Sequence, residues 1–256
     1  MREMRIFTDI ITIFWKEHRE YKLAYRGRAG WGMVMFLLLT GGLIPWQLGE
    51  LWVKGSLALV MLTWFSVMPG MMMNADSIAG ERERHTLETL LASRLDNRSI
   101  LLGKAILPII YALLFTIIML LLGWAVVNLK LRLGMLPGSD PKHFLFYRPE
   151  VLWGAPLLSL AMGTFSNLVG VLVSLRAPTV KKAQQTLSLG FTVLWLVPVF
   201  GGQLLPRPWR HQVFESFKNS NPTQTILAGA LVLLMVNLFL YALARARFQR
   251  HKLILD

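Results

Sequence analysis

An all-α, polytopic membrane fold with six transmembrane helices is what the sequence predicts, and two observations carry the prediction. Six windows of more than 20 residues contain no charged side chain: 29–49, 55–75, 105–129, 151–175, 183–206 and 219–244. A bilayer core about 30 Å thick needs roughly 20 apolar helical residues, so each window is long enough to span. The basic residues between the windows are also one-sided. Nineteen of the 27 Lys and Arg lie before the first window, in the second-to-third and fourth-to-fifth connections, and in the tail; eight lie in the other connections. An excess of Lys and Arg marks the cytoplasmic side. The expectation is a multi-pass protein of the cell (plasma or inner) membrane with both termini cytoplasmic.

Composition points the same way. The 256 residues are 54% hydrophobic and 16% charged, with a mean hydropathy of +0.50, more apolar surface than one soluble core of this size hides. The net charge of +13 would point to nucleic acid on a soluble surface. Its concentration in the connections on one side reads instead as a topology signal, and no nucleic-acid partner is expected. There is no cysteine, which excludes a disulfide framework and thiolate metal sites.

Residues 1–28 precede the first window. Arg5, Asp9, Thr12, Lys16 and Arg19 recur at steps of four and three and form a polar stripe; Ile6, Phe7, Ile10, Ile13 and Phe14 fill the other side. This predicts an amphipathic helix lying in the membrane interface. The residues leave two roles open, a plain anchor or a mechanical element touching a cytoplasmic partner, with Arg5, Lys16 and Arg19 as its contact residues. The segment is too charged for a cleavable signal peptide, so the first span is expected to serve as the insertion signal.

The first connection, near Glu50–Lys54, is short and predicts a tight hairpin of the first two spans. Trp31, Trp46, Trp52, Trp124 and Trp153 fall near span ends, where aromatic belts belong. The external connection 130–150 carries Pro137, Gly138, Pro141 and Pro149 and reads as a loop of little independent structure. The stretch 205–224 differs: Val213, Phe214 and Phe217 share a helical face, which predicts a short external helix before the last span. The bundle is expected over 29–244 and a cytoplasmic tail over 245–256.

The second-to-third connection, 76–94, is the most informative. Leu87, Leu90, Leu91 and Leu95 keep helical spacing, while Glu81, Arg82, Glu83, Thr86 and Glu88 supply a dense polar surface. The residues alone fit either a helix docking into a protein groove or a solvated loop with ordinary topology charges. The string Gly80-Glu81-Arg82-Glu83-Arg84-His85-Thr86-Leu87-Glu88-Thr89-Leu90-Leu91, followed by Leu101-Leu102-Gly103-Lys104, resembles the type-2 permeases of ATP-binding cassette (ABC) exporters. Those proteins carry a Glu-rich turn, then Gly-Thr-x-Glu-x-Leu-Leu, a Pro-containing turn and a Leu-Gly-Lys that opens the third span. This chain departs from the pattern at His85, where Gly is usual, and at Arg94, where Pro is usual. Ala183-Gln184-Gln185 after Lys181-Lys182 resembles the family's second cytoplasmic loop, and Asn221-Pro222 its motif before the last span.

What the resemblance implies is a single permease domain over 1–256, exporting a substrate by alternating access and paired with a second, identical or paralogous permease. It also implies ABC ATPase subunits that bind the ATP and Mg. The coupling helix would meet that ATPase through Glu81, Arg82, Glu83, Thr86, Leu87, Glu88 and Leu91. The sequence agrees that ATP is bound elsewhere, since it contains no Gly-x-x-x-x-Gly-Lys-Ser/Thr phosphate loop. No cofactor or metal is expected in the chain, nor an enzymatic activity of its own.

The rival class is a non-transport membrane protein, an assembly factor or an intramembrane enzyme. An enzyme would need ionisable groups inside the spans, where they are expensive and therefore informative; the six windows hold no Asp, Glu, Lys, Arg or His. Asn74, Asn128, Asn167 and Asn237 are read as helix–helix hydrogen bonding or capping groups. The 13 methionines suit an amphiphilic substrate and lipid-facing packing equally.

Overall fold

The computed structural model describes residues 2–24, 28–93, 95–136, 143–204, 206 and 221–248, and all regular secondary structure among them is helical. In chain order the helices are α1 (Arg2–Ala24), α2 (Arg28–Leu37), a π-helical turn (Leu38–Leu43), α3 (Ile44–Leu48), α4 (Glu50–Lys54), α5 (Leu57–Phe65) and α6 (Val67–Ser77). They continue with α7 (Ala79–Glu83), α8 (Leu87–Ala92), α9 (Asn97–Arg132), α10 (Pro149–Arg176), α11 (Val180–Leu204) and α12 (Pro222–Arg247). The external helix expected around Val213, Phe214 and Phe217 lies outside the described residues.

Five stretches among the described residues are long and apolar enough to cross a bilayer: Gly30–Leu48, Leu57–Glu83, Ser99–Arg132, Pro149–Arg176 and Pro222–Arg247. They fall on the first four windows and the last. The remaining window, 183–206, coincides with α11, a continuous helix of 25 residues. The chain thus has the helix lengths and apolar composition of a multi-pass membrane protein. It divides into two compact units, one of Met1–Gly70 with Asp96–Thr164, the other of Met71–Leu95 with Phe165–Asp256.

In the first unit α9 is the axis. Its 36 residues make a rod about 54 Å long at 1.5 Å per residue, well beyond the bilayer core. The apolar window begins only at Ala105, so the first turns of α9 project past it, and α1 packs there. Ile13 is buried at 3% exposure against Gly103, where an added Cβ would sit 2.7 Å from the Ile13 Cβ; only glycine lets the two helices approach this closely. One turn further along α1, Glu17 Oε1 accepts from Lys104 Nζ at 2.7 Å, and Tyr21 packs on Tyr111 with ring centroids 4.9 Å apart. The Gly-Lys pair that opens the third span is thus the seat of α1. The opposite side of α1 exposes Phe7, Ile11 and Trp15 at i, i+4 and i+8, an apolar strip beside the polar one that the periodicity reading did not separate.

The other end of α9 carries a strap. Asn128 Oδ1 accepts from the Leu145 N–H at 2.8 Å and its Nδ2 donates to the Leu145 carbonyl at 3.0 Å. Trp124 Nε1 donates to the same carbonyl at 2.9 Å, and Arg132 lies 4.6 Å from the Phe144 ring centroid. The described part of the 130–150 connection is irregular but fixed, because a single amide pairs both backbone groups of Leu145. Trp52, expected as an interfacial anchor, is instead fully buried, and its Nε1 donates to the Tyr147 hydroxyl at 2.9 Å. That hydroxyl in turn donates to the Leu120 carbonyl at 3.2 Å. Burial pushes the Tyr147 phenol up from 10 to about 12, with the Trp52 hydrogen bond acting the other way. Trp31, by contrast, is 68% exposed.

The π-helical turn sits just before Pro45, which has no N–H to give the Gly41 carbonyl. Thr40 Oγ1 donates to the Phe36 carbonyl at 2.6 Å, satisfying a main-chain acceptor inside the first span. Helix α12 opens on the Asn221-Pro222 pair. The Asn221 side chain accepts from the Thr223 N–H at 3.1 Å and Pro222 follows at the first helical position, the arrangement that satisfies an exposed helix start.

Candidate functional site

The segment singled out by sequence, 76–94, belongs to the second unit and is not one helix. The second span runs on through α6 and α7 to Glu83, turns at Arg84–Thr86, and continues as the six-residue α8. The break between α6 and α7 is stitched by Ser174 of α10, whose hydroxyl accepts from the N–H groups of Ile78 and Ala79 at 3.1 and 2.8 Å.

The turn is a Schellman closure. His85 N–H donates to the Arg82 carbonyl at 3.1 Å, and Thr86 N–H to the Glu81 carbonyl at 2.9 Å. This motif requires one residue in the left-handed region, and that residue is His85, with φ 56°. It is the position at which the family pattern has glycine. The glycine requirement is therefore met here by a residue that pays steric strain for it. Before the turn, Asp76 pairs with Arg84 at 3.1 Å across Gly80, where an added Cβ would collide with the Asp76 carboxylate.

Two adjacent charges on α7 point into the same unit. Arg82 donates from Nη1 to the Ala177 carbonyl at 2.8 Å and from Nη2 to the Leu175 carbonyl at 3.2 Å. These are carbonyls at the C-terminal end of α10, which a helix leaves without internal donors. Glu83 Oε1 accepts from the Val180 N–H at 3.0 Å, the first residue of α11. A cation thus caps the negative end of one helix dipole and an anion the positive end of the next. Together Arg82 and Glu83 clamp the short turn 177–179 between α10 and α11.

The sequence-predicted contact residues divide accordingly. Glu81 and Leu87 are buried, at 1% and 6% exposure. Arg82 is half-buried and Glu83 exposed, each bonded as described. Thr86 and Glu88 are exposed on the turn and on α8; the Thr86 hydroxyl donates to the Glu81 carbonyl at 3.3 Å. Leu91 lies on α8 and Arg5 on α1. Lys16 pairs with Glu20 at 3.6 Å, and Arg19 is exposed on the outer face of α1. Sequence reasoning missed Glu17 and Ser174, a charge and a hydroxyl whose partners lie 87 and about 95 residues away; no local pattern marks such pairs.

No group of three or more His, Cys, Asp or Glu able to hold a metal occurs among the described residues. In comparison with known proteins, residues 8–235 match the model of the ABC-2 type transporter family. No curated protein matches the chain.

Proposed function

The chain belongs to the ABC-2 type transporter family and is a transmembrane permease subunit of an ABC transporter; from that premise we propose that it is the membrane half of an exporter whose ATP and Mg are bound by separate ATPase subunits. In this reading α11 is the fifth of six spans, the whole chain acts as one permease domain, and both termini lie in the cytoplasm. Two permease copies, or this chain and a paralogue, pair over two ATPases. Closure of the ATPases pushes the 76–94 segment and drives the spans between two packed states, giving outward transport by alternating access.

The observation that carries this reading is the clamp of Arg82 and Glu83 on the α10–α11 turn. A force applied to the exposed turn and α8 passes directly to the ends of two long helices. The docking set then has two layers. Thr86, Glu88 and the α8 leucines, Leu91 among them, meet the ATPase groove; Glu81, Arg82, Glu83 and Leu87 hold the turn rigid and transmit its displacement. Arg5, Lys16 and Arg19 on α1 form a second, smaller contact.

The test is site-specific photo-crosslinking in native membranes. A photoreactive residue at Glu88 is expected to trap an ATPase chain, and one at Phe144 is not. Labelling of position 88 by a membrane-impermeant reagent from outside the cell, or absence of an ATPase adduct from it, refutes the reading.

A further inference from the structure

Within the second unit, beside the clamped turn, lies an open groove of about 360 Å³ lined by Leu172, Val173, Arg176, Ala177, Pro178 and Lys182, with Thr186, Leu243 and Arg247 closing it. Its lining is ordered by depth. Leu172 lies one turn before Arg176 on α10, and Leu243 one turn before Arg247 on α12. Each helix therefore offers an apolar residue on its bilayer side and an arginine in its last turn. Lys182 brings a third cation from the first turn of α11.

None of the three makes a salt bridge among the described residues. Arg176 is also not spent on its own helix end, because Arg82 already caps the α10 carbonyls. Three cations with no salt bridge among the described residues, set beside apolar side chains at the ends of three long helices, match a molecule that is anionic at one end and apolar at the other.

We propose that this groove binds an anionic phospholipid, with its phosphate against Arg176, Lys182 and Arg247 and the upper part of an acyl chain on Leu172, Val173 and Leu243. Basic pockets between helices at the cytoplasmic boundary select such headgroups. An acidic protein segment would satisfy the cations but leave the apolar floor uncovered, so the lipid is the occupant the lining favours. The inference rests on the reading that α10, α11 and α12 cross the membrane with these ends cytoplasmic. It does not depend on export.

The test uses the full chain purified in detergent and titrated with phosphatidylglycerol or phosphatidylcholine, with bound lipid counted by native mass spectrometry. The intact protein is expected to retain phosphatidylglycerol with an affinity at least about tenfold above that of the R176Q/K182Q/R247Q variant, and to retain phosphatidylcholine no better than the variant does. The R176K/R247K variant keeps the charge and is expected to hold the lipid, while R247Q alone gives a partial loss without the risk of a triple substitution. Equal retention by intact protein and R247Q, equal retention of the two lipids, or displacement of phosphatidylglycerol by millimolar inorganic phosphate overturns the proposal. So does loss of a co-purifying acidic protein from the triple variant with lipid retention unchanged. A failed titration on protein that still yields the Glu88 crosslink counts against the groove alone and leaves the permease reading standing.

Discussion

Glu17 on α1 and Lys104 on α9 meet at 2.7 Å, with side-chain exposures of 17% and 3%. A charge this buried depends on its partner, since removing one member of a buried pair leaves the other uncompensated at a cost of about 3–5 kcal/mol. Lys104→Ala is expected to lower the thermal midpoint of the purified protein sharply, and to free α1 for proteolysis near Ala24. The exchanged pair E17K/K104E should recover part of the loss; recovery of none would mean that the helices, not the charges, set the contact.

His85→Gly is expected to stabilise the protein by about 1 kcal/mol, because glycine adopts φ 56° without the Cβ contact that strains histidine there. His85→Val should cost more than the gain, as a branched Cβ is the least tolerated in this region. Amide exchange at Thr86, whose N–H closes the motif, reports both changes. Faster exchange in the glycine variant would contradict the strain argument.

The Arg82–Glu83 clamp predicts graded losses. Arg82→Ala strips the donors from two carbonyls, Ala177 and Leu175, at about 1–3 kcal/mol. Glu83→Gln keeps an acceptor for the Val180 N–H and loses only the charge–dipole part, about 0.5 kcal/mol. If the clamp transmits force, Arg82→Ala should also lower transport per ATP hydrolysed in reconstituted vesicles, more than Glu83→Gln does. Equal coupling ratios in all three proteins would leave the clamp a purely structural feature.

Tyr147 predicts a pH dependence at the alkaline end. Its phenol ionises at about 12 in the folded protein and at about 10 in an unfolded chain. The neutral form is therefore the one the fold favours. That contribution, of order 2–3 kcal/mol, is complete below pH 10 and is lost as pH rises from 10 to 12. Tyr147→Phe should flatten the decline of the midpoint over this window. It should also lower stability at neutral pH, because Trp52 Nε1 loses its acceptor. A variant with the same alkaline slope as the intact protein would refute the assignment.

Asn74 is fully buried against Gly170, and neither of its amide atoms finds a hydrogen-bond partner among the described residues. A buried amide left unpaired costs about 1–3 kcal/mol. Asn74→Leu, which keeps the branching and the number of side-chain heavy atoms, is expected to raise the midpoint. If the amide finds a partner in the other transport state, the same substitution will slow transport while stabilising the protein. A lowered midpoint would show that the amide is already bonded.

The all-α character and five of the six expected spans were legible because their signal is crude: long uncharged windows need no knowledge of packing. The 76–94 segment stands out in the sequence through the spacing of Thr86, Glu88 and the leucines and through the resemblance they carry. Its geometry does not. Arg82 and Glu83 look like surface charges in the sequence, and their partners are main-chain groups of Ala177, Leu175 and Val180, which have no side-chain signature. The same holds for the strap: Asn128 was readable as a capping amide, but its target, the backbone of Leu145, could be any residue. Trp52 misled for a related reason. A tryptophan near a span end anchors at the interface unless a partner such as Tyr147 takes its N–H, and that partner lies 95 residues away.

The π-helical turn at Leu38–Leu43 has a genealogical consequence. It accommodates one residue more than an α-helical path between the same endpoints needs, so the first span has a place where chain length can change without rotating everything that follows. Relatives one residue shorter in this stretch would keep Trp31 and Pro45 on their present sides by closing the wide turn. Elsewhere in the span the same deletion would turn the preceding face by about 100°.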